Sequence, residues 1–170
     1  MRTRSVVVTI LVFLFSACGE DNTDAYFENC KYGKPKAIFS SDTPRVESHS
    51  FRIKNREGIE EIEFESGKSL TIIQTGCDSI RQVFQFRLPG SYEKGSALKW
   101  VELTVEQFEF LASLGPEYMV FSSWAQSIAA RAEFIKLAGS TEIQPGFFVG
   151  IDRVISRDHV DLLVTLSESP

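Results

Sequence analysis

Two histidines, three cysteines and a run of alternating glutamates are the residues of this 170-residue chain that could do chemistry. His159 lies in Arg157-Asp158-His159-Val160-Asp161, where a carboxylate beside an imidazole is the raw material of a general base. The stretch reads as a turn, where charged residues are usual. His49 stands at the start of a strand pattern and reads as solvated. Ser122 and Ser123 fall mid-helix with no base in sequence reach. The chain carries no GxSxG elbow, HExxH, phosphate loop, or GxGxxG after a strand.

The glutamates alternate in Glu60-Glu61-Ile62-Glu63-Phe64-Glu65. Period two places Glu61, Glu63 and Glu65 on one face of a strand, with Ile62 and Phe64 on the other. Three readings compete. Paired carboxylates can hydrolyse glycosidic bonds while leaving little trace in sequence. An acidic face can meet a basic partner. A charged strand face can also simply stay solvated and resist edge aggregation. No oxygen-rich calcium loop and no CxxC occurs, so neither a metal nor another cofactor is expected. The net charge of −5 argues against nucleic acid and against anionic lipid headgroups as partners, since both reward a basic surface.

These residues need a scaffold, and the chain divides into three parts. Arg2 and Arg4 precede an apolar run of about a dozen residues, too short for a permanent span, which needs about 20. Phe15-Ser16-Ala17-Cys18 closes it, with Phe15 where leucine is more usual. This stretch resembles the signal of bacterial lipoproteins. The resemblance covers residues 1–18 and implies cleavage before Cys18, a diacylglycerol thioether and an N-acyl chain such as palmitate on that cysteine, and stable attachment by several chains. Gly19, in place of an aspartate, implies the outer membrane. Residues 1–17 are then a signal peptide and residues 18–29 an acidic tether. Residues 30–170 form one α+β domain. The tether reaches at most about 40 Å when extended. Loss of Arg2 and Arg4 takes the charge to −7.

With Cys18 given to lipid, the resemblance implies that Cys30 and Cys77 pair in an oxidising compartment. A bridge across about 47 residues would stabilise the fold by roughly 4 kcal/mol through chain entropy. Two separate structural thiols are the alternative.

Within the domain, Lys34–Phe39 reads as a short edge strand, because Pro35 cannot donate to a ladder. Phe51 and Ile53, Ile62 and Phe64, Leu70 and Ile72, and Phe84, Phe86 and Leu88 then alternate with polar residues across short turns. Connections this short favour an antiparallel meander with one buried face. Trp100 to Leu114 changes to helical spacing, Gly115-Pro116 breaks it, and Phe121, Trp124, Ala125, Ile128, Ala132 and Ile135 continue it until Gly139. The expected architecture is α+β: an antiparallel meander packed against a two-helix hairpin, with a C-terminal β-hairpin around residues 147–154 and 160–166. Phe147 and Phe148 are neighbours on a strand and must point to opposite faces. Either one left exposed would be a partner contact, like Glu61, Glu63 and Glu65.

The functional expectation is a non-enzymatic envelope lipoprotein, attached to the membrane by its anchor, that binds another macromolecule. An inhibitor or immunity protein facing a basic envelope or exogenous hydrolase is its concrete form. A hydrolase using paired carboxylates and a carrier of apolar cargo are the alternatives.

Overall fold

The computed structural model describes residues 23–170 apart from residues 91, 93 and 94. Cys18, its expected lipidation and the signal segment lie outside the described residues.

The alternating stretches form four consecutive strands, β1 (Val46–Lys54), β2 (Glu57–Phe64), β3 (Ser69–Thr75) and β4 (Arg81–Pro89). Between β1 and β2, Asn55 and Arg56 both adopt positive φ, 52° and 65°. That conformation matches the twist of a two-residue hairpin, and asparagine tolerates it better than most residues. Helices α2 (Ala97–Ala112) and α3 (Val120–Ala129) follow, and then β5 (Ser140–Gln144), β6 (Phe147–Ile155) and β7 (His159–Ser167). A five-residue helix, α1 (Thr23–Phe27), precedes them all. The seven strands make one sheet in the order β1-β2-β3-β4-β7-β6-β5. Every neighbouring pair is antiparallel. The α+β expectation holds, with its meander, helical pair and C-terminal strands.

The helices cover one face of the sheet. Ser96 caps α2 by accepting the Lys99 N–H, and Trp100, Val101, Phe108 and Leu111 turn inward. From α3, Phe121, Ala125 and Ile128 do the same. Phe84, Phe108 and Phe121 meet with ring centroids 5.3 to 5.9 Å apart, filling the space between the layers. Burial of each such ring contributes on the order of 2 to 3 kcal/mol.

Three expectations are corrected. Lys34–Phe39 forms no strand. It runs as an irregular strap across the inner face of β1 and β2 toward the helices, and its amides find a side chain in place of a ladder. The carboxylate of Glu60, fully buried, accepts the N–H of Ile38 at 2.9 Å and of Phe39 at 2.8 Å. His49 is likewise not simply solvated, because its Nε2–H donates to the same carboxylate at 2.8 Å. The second helix stops at Ala129 and gives way to a 3-10 turn at Ala132–Phe134. The chain must become extended by Ile135 to reach β5. The C-terminal hairpin stands as β6 and β7, and β5 adds a third antiparallel strand at its edge, a segment that buries only Ile143 and shows no period.

The strap explains a glycine. A Cβ on Gly58 would stand 2.6 Å from the Pro35 Cβ, so only glycine lets the strap lie this close to β2. Phe39 continues the strap into the helices, stacking on Tyr118 at 4.8 Å and on Phe121 at 5.8 Å. Before the strap, Cys30 and Cys77 form a disulfide across 47 positions.

Candidate functional site: the uncovered face of the sheet

Helices and strap lie on the same side of the sheet, so its other face carries neither among the described residues, and only the C-terminal Ser169 and Pro170 approach it beside Ser167. Three rows of side chains cross it, set by register. The first runs Arg52, Ile59, Ile73, Val83, Thr165. The second runs Ser50, Glu61, Thr71, Gln85, Leu163. The third runs Ser48, Glu63, Ser69, Arg87, Asp161, Val154. Ile59, Ile73, Val83 and Leu163 are half-buried by their neighbours alone and form an apolar centre. Val154 is 57% exposed.

Size decides what such a face can hold. Six inter-strand spacings of about 4.8 Å, and strands of about 30 Å, give a platform on the order of 800 Å². That equals the share one partner contributes to an ordinary protein–protein interface, about 800 Å². Its concavities are open depressions. One of about 360 Å³ is lined by Ser48, Ser50, Glu61, Glu63, Ser69 and Thr71. Another of about 440 Å³ lies toward Arg81, Asp152, Thr165 and Ser167.

Charges frame the apolar centre in pairs. Arg52 grips Glu61 with two bonds, 2.6 and 2.9 Å, and this guanidinium holds the Glu61 carboxyl below its ordinary range. Arg87 reaches Asp161 in the same forked way, at 2.9 and 3.3 Å. His159 Nδ1–H donates to Asp158 at 2.8 Å, while its Nε2 lies 3.6 Å from Asp161. The His159 bond lowers the Asp158 pKa.

The residues singled out in the sequence separate on this scaffold. Glu61 and Glu63 are exposed on the open face. Glu63 makes no hydrogen bond or ion pair through its side chain among the described residues. Glu65 lies just past the end of β2, where its N–H donates to the Arg45 carbonyl. Phe148 is half-buried on the open face, opposite Ser167. Phe147 points the other way and stacks on Trp124 with centroids 4.6 Å apart. The disulfide lies at one end of the sheet, beyond β3.

The arrangement weighs against two chemistries. A glycosidase acid needs a carboxyl held protonated by a raised pKa, and Arg52 moves Glu61 the opposite way. Apolar cargo would need the space between sheet and helices, which packed phenylalanines occupy. No group of three or more His, Cys, Asp or Glu side chains among the described residues could hold a metal ion.

Sequence reasoning missed Ile59, Ile73, Val83 and Leu163 as surface residues. Their signal was present, as apolar residues on the polar beat of β2, β3, β4 and β7. No family model, no curated protein and no solved structure matches the chain.

Proposed function

We propose that this chain is a non-enzymatic envelope lipoprotein, held to the membrane through Cys18, whose uncovered sheet face binds another protein. The observation that carries the reading is the apolar centre of Ile59, Ile73, Val83 and Leu163 within that face, bordered by exposed Glu63, half-buried Phe148 and the paired Arg52 and Glu61. Natural sheets that face only water rarely keep large apolar side chains on the wet side of several adjacent strands. An apolar centre with a polar rim is the anatomy of a protein interface.

The partner is a basic protein. The mature chain carries a net charge of −7, and Glu63 and Glu65 stand unpaired at one border of the face. Such an acidic rim speeds encounter with a cationic surface and sets orientation. Inhibition of, or immunity to, a basic hydrolase acting on the envelope is the concrete form.

Affinity capture from envelope at low salt tests this, using the wild-type protein beside Ile73→Asp. A basic protein recovered by wild type and lost with the variant supports the reading. Equal recovery by both baits moves the contact off this face. Acylation is tested separately, by palmitate incorporation that disappears in Cys18→Ser.

A further inference from the structure

A sheet that does not close on itself ends in two strands with one free side each, and here these are β1 and β5. β5 is five residues long and its register shifts between Glu142 and Gln144, the short and irregular kind of edge that resists pairing. β1 is nine residues long, and from Ser48 to Lys54 its register against β2 is unbroken. The two-residue turn at Asn55 and Arg56 makes Lys54 and Glu57 a pair that exchanges main-chain hydrogen bonds. Alternation then directs Arg52, Ser50 and Ser48 toward β2 in the same way, so the N–H and C=O groups of His49, Phe51 and Ile53 point out of the sheet edge. No described residue hydrogen-bonds those groups. The Phe51 and Ile53 side chains, on the strap side, are half-buried.

Charge is distributed unevenly along this edge. On the open face β1 presents Ser48 and Ser50 in its first half and Arg52 and Lys54 in its second. The two serines stand opposite Glu63 and Glu61 of β2. Arg52 is held by Glu61 of its own chain, whereas Lys54 and Glu63 make no hydrogen bond or ion pair through their side chains among the described residues. An antiparallel strand that laid a basic second half over the serines would bring a cation beside each acid. β1 itself is such a strand.

We propose that β1 pairs antiparallel with β1 of a second copy of this chain, about a two-fold axis that passes between the two Phe51 residues. In that register Phe51 faces Phe51 of the second copy, and His49 and Ile53 face its Ile53 and His49. All are positions whose main-chain groups point outward, so about six hydrogen bonds form across the axis. Ser48 faces Lys54 of the second copy, and Ser50 faces its Arg52. That lysine then stands about 10 Å from Glu63, Cα to Cα, across one serine, a gap the two long side chains close. A shift of register in one direction loses a hydrogen-bonded pair, and in the other draws in the irregular step between Val46 and Ser48. The axis runs perpendicular to the sheet, so the open faces of both copies look the same way and join into one platform.

The test uses the chain from Gly19 onward, which contains every described residue, so neither acylation nor the envelope partner enters the measurement. Analytical ultracentrifugation from about 1 μM to about 1 mM, the span of a weak specific contact, is expected to show a reversible monomer–dimer equilibrium. Ile53→Pro removes an outward N–H that has no partner within the chain, and symmetry makes the loss count in two of the three hydrogen-bonded pairs. It is expected to abolish the dimer. Lys54→Glu is expected to weaken the dimer about tenfold at low salt, and Lys54→Glu/Glu63→Lys, with the charges exchanged, to restore it. Under mild oxidation, Ser50→Cys mixed with Arg52→Cys is expected to give a disulfide-linked heterodimer, because those positions face each other at about 4.5 Å, within disulfide reach. Monomer at every concentration overturns the proposal, whether the edge then stays solvated or takes up an extended segment of another protein. A dimer that Ile53→Pro leaves intact, a charge exchange that restores nothing, or linkage within Ser50→Cys alone overturns it too. Thermal midpoints separate loss of pairing from loss of fold in the proline variant, and the charge exchange decides where that variant does not fold.

Discussion

The carboxylate of Glu60 and the main-chain N–H of Phe39 meet at 2.8 Å across 21 positions of sequence, inside the protein. With the Ile38 N–H and His49 Nε2–H converging on the same carboxylate, Glu60 does for the strap what a neighbouring strand would otherwise do. A buried carboxylate is costly unless its lone pairs are filled, and here three donors fill them.

Glu60→Gln replaces one acceptor oxygen by a donor facing donors. It is expected to destabilise the fold by about 2 to 4 kcal/mol, the range for breaking one partner of a buried charged network. Urea unfolding measures this. A loss under about 0.5 kcal/mol would show that the strap is held by Phe39 packing alone.

Gly58→Ala tests the strap from its other side. With the Pro35 Cβ at 2.6 Å from the added methyl carbon, either strap or strand must shift, at a cost of about 1 to 3 kcal/mol. A thermal midpoint equal to wild type would mean that the strap yields freely.

These contacts also mark what the sequence could and could not reveal. The meander was legible because Ile62, Phe64, Leu70, Ile72, Phe84 and Phe86 alternate strictly, and period two has one structural meaning. The helices were legible for the same reason at period 3.6. Glu60 was not, since a glutamate beside Glu61 looks equally charged in sequence, and only strand phase turns one inward and the other out. The strap was misread as a strand because a side-chain acceptor in place of a ladder leaves no periodicity. β5 was invisible, with Ile143 its one buried residue. The apolar centre of the open face is the instructive case: Ile59, Ile73 and Val83 each break alternation by one residue, and only register shows that they are adjacent.

The disulfide closes a loop that includes three strands. Reduction, or Cys30→Ser/Cys77→Ser, is expected to cost about 3 to 4 kcal/mol, as for loops of this length. It should also increase amide exchange at Tyr32 and Gly33, which lean on Cys77 and Cys30. Unchanged exchange at Tyr32 would show that its hydroxyl bond to Glu168 alone secures the end of the tether.

Acid should act on the open face through Arg52 and Glu61. The folded Glu61 pKa lies below its unfolded value, so its contribution is present above the unfolded pKa. It is lost as pH falls through the folded one. Both side chains are about half exposed, so solvent screening limits the effect to a few tenths of a kcal/mol. Wild type should therefore lose slightly more stability between pH 7 and pH 3 than Arg52→Gln does. Identical losses would remove the pair from the pH response.

The central claim is that the uncovered face, and not the helical side, meets a protein partner in the envelope. Site-specific photocrosslinking in living cells tests it, with the probe placed at Ile73 or Leu163 on the open face and at Leu98 or Met119, exposed on the helical side. The account predicts a discrete crosslinked protein from Ile73 and Leu163 and none from Leu98 or Met119. The same product from both sides, or none from the sheet positions, would contradict it.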